Sequence, residues 1–318
     1  MSTGSVPPSV RHFSVPASSF GIVLGMAGLS NCWRFAYVLW GVDARIGEAL
    51  SALTAIVWLA LLTGYVKKWL RESGDAMAEF QHPIQCCFIG LIPVSTLLIS
   101  IWVVTWSEAA GNTLVILGCA GQLAFGVYRS GALLRGDRKQ TDTTAVMYLP
   151  SVGGNFVSAI ALSAIGYSDA AKLFFGAGFF SWLALESVIV NRLYTSEPLP
   201  PTVRPTLGIQ SAPPVVGAVA YLSITHNSVD GVFLGMLGYG VMQVLLLARL
   251  TAWFAQTGFS PSYWAFSFGG TAIALASMHG HQVIDVIALP LFLLINVFIG
   301  ALFLATLRLL LLGRLFMK

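Results

Sequence analysis

The architecture is decided by Leu289-Pro-Leu-Phe-Leu-Leu-Ile-Asn-Val-Phe-Ile-Gly-Ala-Leu-Phe-Leu-Ala-Thr-Leu-Arg-Leu-Leu-Leu-Leu312. It holds one cation, Arg308, and no acid. About 20 mainly apolar residues carry a helix across a bilayer. Backbone groups in lipid must pair internally, which leaves helices or closed barrels. Barrel strands alternate in polarity over about ten residues. Neither this segment nor Leu114 to Tyr128 alternates, so the expected spans are helices.

The rest of the chain has the same character. Of 318 residues, 56% are hydrophobic and 9% charged, with a mean hydropathy of +0.79. A soluble domain carries roughly 25% charged residues, so lipid is the simplest cover for this exterior. The net charge of +4 does not indicate nucleic acid, because the cations sit between apolar segments rather than in a patch with interleaved aromatics. Cys32, Cys86, Cys87 and Cys119 all fall in apolar segments without a CxxC spacing and read as small buried hydrophobes. Met1 to Pro16 is polar and Pro/Ser-rich and lacks the build of a cleaved signal.

Ten spans are expected, at about 17–38, 46–70, 83–104, 109–134, 147–166, 168–194, 207–226, 230–256, 261–279 and 284–313. Residues 1–16 form a short N-terminal segment, 17–313 the transmembrane domain and 314–318 a C-terminal tail. One set of connections and ends carries Arg11, Lys67, Lys68, Arg71, Arg129, Arg135, Arg138, Lys139, Arg192, Arg204, Arg249, Arg308, Arg314 and Lys318. The other set holds only Arg34, Arg45 and Lys172. Positive residues favour the cytoplasmic face, so both termini are expected inside.

The odd spans also carry the helix breakers: Pro16 and Gly21; Pro83, Gly90 and Pro93; Pro150, Gly153 and Gly154; Pro213 and Pro214; Pro261, Gly269 and Gly270. Even spans are longer and smoother, apart from Gly121 and Pro290. The pattern reads as five helix hairpins. Broken backbone at membrane depth is tolerated where it is buried in protein or lines a cavity, so the broken helices are expected to ring a pore. The competing reading is that Gly and Pro only ease close packing.

Ionisable residues within a membrane are functional candidates. Glu186 is the one acid deep in a span, and Arg249 is its natural partner, either as a salt bridge between hairpins or as part of a proton or substrate relay. Asn155 and Gln210 lie on broken spans and are candidate cavity liners. Phe20, Phe88, Phe156, Phe266 and Phe268 recur on the same spans, and rings of this kind can gate a pore by dewetting. Neither acids nor cations form a ring on the odd spans. Selectivity would then rest on backbone donors, helix ends and dehydration cost, which favours large, weakly hydrated anions. No HExxH, GxSxG, Walker A or Rossmann fingerprint is present, so no enzyme activity and no cofactor are expected. His279, His281 and Asp285 are weak metal candidates, and no metal site is assigned.

Five segments together bring out a resemblance. They are Phe20-Gly-Ile-Val-Leu-Gly25; His82-Pro83 with Leu91-Ile-Pro93; Tyr148-Leu-Pro150 with Asn155-Phe156; Phe174-Phe-Gly-Ala-Gly178 with Trp182 and Glu186; and Trp264-Ala-Phe-Ser-Phe268-Gly269. In this order they resemble the bacterial tellurite-resistance proteins of the family that includes plant slow anion channels and C4-dicarboxylate transporters. The resemblance implies an all-α integral membrane protein with ten transmembrane helices, as five helical hairpins around a quasi-fivefold central pore. It implies a homotrimer in the bacterial inner membrane, partnered by lipid and small inorganic or organic anions. It places a gate phenylalanine at Phe268, with Phe20, Phe88 and Phe156 as pore-lining neighbours. The leading expectation is a passive anion channel. The alternatives are a proton-coupled transporter of dicarboxylates or tellurite-like oxyanions, which would need a titratable site near the midplane, and a non-conducting scaffold.

Overall fold

A computed structural model describes residues 14–136 and 139–316. Arg11, Arg138 and Lys318 lie outside the described residues, as do most of the segment 1–16 and the last two residues of the tail 314–318. The described chain is helical throughout. Its helices are α1 (Gly21–Trp40), α2 (Ala44–Arg71), α3 (Ser73–Gln81), α4 (Leu91–Val103), α5 (Glu108–Leu133), α6 (Gly154–Ala164), α7 (Ser168–Thr195), α8 (Ala212–Ile224), α9 (Gly231–Arg249), α10 (Thr251–Phe254), α11 (Ser267–His279) and α12 (His281–Leu311).

Two kinds of span alternate. The outer kind, α2, α5, α7, α9 and α12, runs for 19 to 31 residues, unbroken except for a kink at Ile284 near the start of α12. At 1.5 Å per residue the longer ones exceed the ~30 Å hydrocarbon core. Three start on side-chain caps: Asp43 accepts from Arg45 N, Ser107 from Ala110 N, and Asp230 from Val232 N and Phe233 N. The inner kind begins instead with a tighter or wider turn that runs into a short α-helix. These turns are Ala17–Phe20 before α1, Gln85–Gly90 before α4, Leu149–Gly153 before α6, Arg204–Ser211 before α8 and Pro261–Phe266 before α11. Proline lacks the N–H of a regular helix and restricts the residue before it. Pro16, Pro83, Pro150, Pro205 and Pro261 each stand in or just before one of these turns. The breakers therefore cluster at the starting end of the inner segments.

Nine helical segments are long and apolar enough to cross a membrane among the described residues. The chain is thus a multi-pass, all-helical membrane protein. The expected span 261–279 is helical, as Pro261–Phe266 and α11, but falls outside that set. Ser262, Tyr263, Ser267, Gly269, Gly270 and Thr271 dilute its apolar content. They are tolerable because α11 is packed against α1 and α8.

Burial separates the two kinds. The apolar windows of the first four inner spans are 61–72% buried, against 17–33% for the outer helices. The outer helices expose large hydrophobics such as Leu59, Leu117, Phe180, Leu245 and Val297, a surface that only lipid or another protein chain covers. Each inner helix packs on the outer helix that follows it. The inner helices also touch one another in a closed cycle: α1 on α4, α4 on α6, α6 on α8, α8 on α11 and α11 on α1. The α1–α11 contact is the tightest, since a Cβ on Gly28 would collide with the Thr271 side chain.

A short helix absent from the sequence reading, α3, crosses beneath the starting ends. Its Glu79 forms a 2.7 Å ion pair with Lys68 of α2, with both side chains under 10% exposed. The other Glu79 oxygen accepts Ala17 N at 2.8 Å. This buried carboxylate ties the entry of α1 to the end of α2. The four cysteines are all buried and none is disulfide-bonded.

Candidate permeation pathway

The closed cycle of inner helices encloses two cavities stacked along its axis. One, of about 530 Å³, lies where the inner helices start and is bordered by Ser18, Gln85, Phe88, Thr206, Trp264 and Phe268. The other, of about 570 Å³, lies where they end and is bordered by Asn31, Arg34, Val219, Thr271, His279 and again Phe268. Between them is a void of about 20 Å³ walled by Leu24, Leu91, Val94, Ile209, Val216 and, once more, Phe268. Phe268 sits in the first turn of α11, immediately after the Pro261–Phe266 turn, and is only partly buried. Gly269 behind it nestles against Ser211 and Ala212, which seats this turn on the start of α8.

Of the four aromatic positions marked in the sequence, Phe88 and Phe268 border cavities. Phe20 and Phe156 border neither large one. Both are fully buried, Phe20 edge-on to Tyr65 of α2 and Phe156 against Phe175 of α7. Their rings point outward into the layer between inner and outer helices. Phe266, next to the gate position, stacks on Phe254 and Tyr263.

The ends of the pathway carry the polar groups. In the second cavity, Arg34 pairs with Glu48 at 3.3 Å, and Trp102 Nε1 donates to the other Glu48 oxygen at 2.7 Å. His279 stacks on Phe35 with centroids 3.8 Å apart, and His281 Nδ1 lies 3.0 Å from Met278 O. No cluster of three metal-ligating side chains occurs among the described residues.

The expected Glu186–Arg249 pair is absent among the described residues. Arg249 is exposed at the last position of α9, whereas Glu186 meets α9 at Tyr239 and Gln243. Six residues of helix, about 9 Å, separate Gln243 from Arg249. Glu186 instead accepts five hydrogen bonds from neutral donors. Tyr148 Oη (2.7 Å) and Trp182 Nε1 (2.8 Å) donate to Oε2. Gln210 Nε2 (2.8 Å), Tyr239 Oη (2.6 Å) and Gln243 Nε2 (3.2 Å) donate to Oε1. Gln210 therefore faces this hub rather than a cavity. Asn155 donates to Ser151 O at 2.6 Å and borders a separate groove between α5 and α7 together with Gln122. The sequence marked Glu186, Trp182, Tyr148 and Gln210 separately but not as one hub. Tyr148 and Gln210 lie 38 and 24 residues away, and only the fold brings them in.

The fold is that of a multi-pass helical membrane protein with two cavities among its inner helices. A family model described as voltage-dependent anion channel, SLAC1, matches residues 14–307, and the chain belongs to that family. It is 36% identical over 312 residues to the tellurite resistance protein TehA homolog of Haemophilus influenzae, covering 97% of this chain and 94% of the relative. It is 26% identical over 289 residues to the S-type anion channel SLAH3 of Arabidopsis thaliana, covering 85% of this chain and 43% of the plant protein, so it spans less than half of that relative. An uncharacterized transporter of Methanocaldococcus jannaschii, MJ0762, is 23% identical over 322 residues, covering 91% of this chain and 92% of the relative. The family is one of anion channels and transporters rather than enzymes.

Proposed function

We propose that this protein is a channel for small anions, with ten membrane spans arranged as five hairpins around a quasi-fivefold pore and with Phe268 as its gate. The observation that carries the reading is the position of Phe268, which among the described residues is the one side chain shared by both large cavities and the void between them. Membership of an anion-channel family supplies the ion class.

The chemistry of the pathway fits anions. The starting ends of the inner helices converge on the first cavity, and helix N-termini carry partial positive charge and unpaired N–H groups. No charged side chain borders the void. An ion there has to shed water without a strong ligand, so large, weakly hydrated anions pass with least cost. Phe88 lines the first cavity, and Phe20 and Phe156 serve as packing behind the wall. The excess of Lys and Arg at the starting ends supports an orientation with both termini on the cytoplasmic side of a bacterial inner membrane. The apolar outer faces suit a homotrimer in lipid.

The test is current recording from purified protein in planar bilayers under a salt gradient. Phe268→Ala is expected to conduct with a reversal potential near that of the anion and to prefer nitrate over chloride. A reversal potential at the cation value, or no increase over the parent, would refute the reading. The proton-coupled alternative draws on the half-buried Glu186 carboxylate, and flux that follows a proton gradient and vanishes in Glu186→Gln would favour it.

A further inference from the structure

The narrowest stretch of the pathway is walled by hydrocarbon. Every side chain on the void other than Tyr148 is apolar or glycine. Tyr148 is 1% exposed, and its hydroxyl is donated to Glu186. The hydroxyl also accepts from Gln210 Nε2 at 3.0 Å, and the same Gln210 nitrogen donates to Glu186. Tyr148 and Gln210 belong to the irregular starts of two neighbouring inner segments, those leading into α6 and α8. Tyr239 and Gln243 of α9, with Trp182 of α7, hold the carboxylate from the outer side.

This constellation has the composition of an oxyanion receptor: two phenolic hydroxyls, two carboxamides and an indole N–H, with no cation paired to the acid among the described residues. The protein fills the receptor with its own carboxylate. We infer that Glu186 is a positioning residue behind the pore wall, a tethered internal anion that holds the hydroxyl proton of Tyr148, the one polar side chain on the void among the described residues, and so denies a permeating anion a ligand at the constriction. The inference rests on the channel reading above. Its consequence is kinetic. A wall with no donor gives weak binding and therefore passage that does not saturate, because only a site that holds the ion can fill.

Glu186→Gln keeps the size but replaces one oxygen by a donor. Whichever way the amide is turned, its new N–H faces O–H and N–H donors on one side: the Tyr148 and Trp182 pair or the Gln210, Tyr239 and Gln243 set. The Tyr148 hydroxyl, the one donor of the set on a residue that borders the void, is then no longer committed to residue 186 and can turn to an anion there.

Nitrate current is measured against nitrate concentration in the Phe268→Ala background, where the pore is open. Phe268→Ala alone should give current rising linearly with concentration. Adding Glu186→Gln should make the current saturate, with a half-saturation at least about tenfold lower, the factor that one net hydrogen bond of about 1.4 kcal/mol supplies. Adding Tyr148→Phe to that pair should restore linearity, a reversal that loss of packing around residue 186 would not produce. Saturation already in Phe268→Ala, which needs no change at residue 186, overturns the inference, as does linear current in a folded Glu186→Gln protein. If Phe268→Ala carries no anion current at all, the channel reading has failed. The wall is then read by nitrate titration in detergent, where tighter binding by Glu186→Gln than by its parent supports the inference and equal binding overturns it.

Discussion

Shortening the side chain at position 268 is the most direct trial of the pathway. The void beside Phe268 measures about 20 Å³, enough for roughly one water and no hydrated ion. The benzyl group occupies on the order of 100 Å³, about three waters at roughly 30 Å³ each. Removing it joins two cavities of about 530 and 570 Å³ into one continuous space. Stripping water from a charge against carbon costs several kcal/mol at least. If relief of crowding recovers only about 3 kcal/mol of that, flux rises on the order of a hundredfold. Phe268→Leu leaves part of the bulk and should fall between, on the order of tenfold. Because the ring faces open cavities, truncation seals no new void. The loss of stability should therefore stay below the ~3–5 kcal/mol of a fully buried Phe→Ala change. The assay is single-channel or macroscopic current in bilayers, normalised to protein, with thermal melting in detergent alongside. Currents that do not follow the order Ala, Leu, Phe in folded protein would refute the reasoning.

Three further outcomes follow from the packing. Lys68→Met leaves Glu79 buried without its cation and should cost about 3–5 kcal/mol, read as a lowered melting temperature in detergent; simultaneous Glu79→Leu should recover much of it. Gly28→Ala drives a methyl into Thr271 at the α1–α11 contact and should cost about 1–3 kcal/mol, with Thr271→Ala as the compensating change. Asp230 caps α9, and the Tyr221 hydroxyl at 2.6 Å, with the Phe233 and Val232 amides, holds its carboxyl below the ordinary value of 3.8. Its contribution is present above that value and lost as pH falls through the lowered one. The melting-temperature gap between parent and Asp230→Ala should accordingly be constant near neutral pH and close only in strong acid.

Much of the layout was legible because lipid imposes a simple rule on composition. Leu289 to Leu312 could be nothing but a span, and α12 runs through it to Leu311. The breakers at Pro83, Pro150 and Pro261 were legible for a similar reason, since proline alters backbone pairing wherever it stands. The sequence did not reveal that the breaks mark a change of helix type at one end of each inner segment, since turns of tighter and wider pitch share residue preferences. α3 was missed because Ser73 to Gln81 is too short and mixed to stand out from a loop. The Glu186–Arg249 pairing failed because opposite charge on neighbouring spans says nothing about depth along them. Depth puts Gln243, not Arg249, beside Glu186. Phe20 and Phe156 were marked as bordering the lumen from their proximity to breakers, but which way a ring points depends on helix phase.

The placement of polar groups accounts for why a chain so poor in charge keeps an acid in its middle. A carboxylate in a membrane interior is costly unless its lone pairs are met. Five donors from four separate segments meet those of Glu186, and Gln210 and Gln243 also donate to the Tyr148 and Tyr239 hydroxyls, so the donors form one network. The irregular turns before α6 and α8 supply Tyr148 and Gln210, so the acid satisfies polar side chains at the very places where helical regularity is lost. Replacing Tyr239 by Phe removes one outer donor, while Tyr148 and Gln210 still hold the carboxylate from the inner side. Melting temperature in detergent should therefore fall by the equivalent of about 1.5–3 kcal/mol, the range for a hydrogen bond to a charged group. The concentration dependence of current in the Phe268→Ala background should stay linear. A Tyr239→Phe protein that melts like its parent would show that the carboxylate does not depend on this donor, and the description of Glu186 as a fully satisfied internal anion would fall with it.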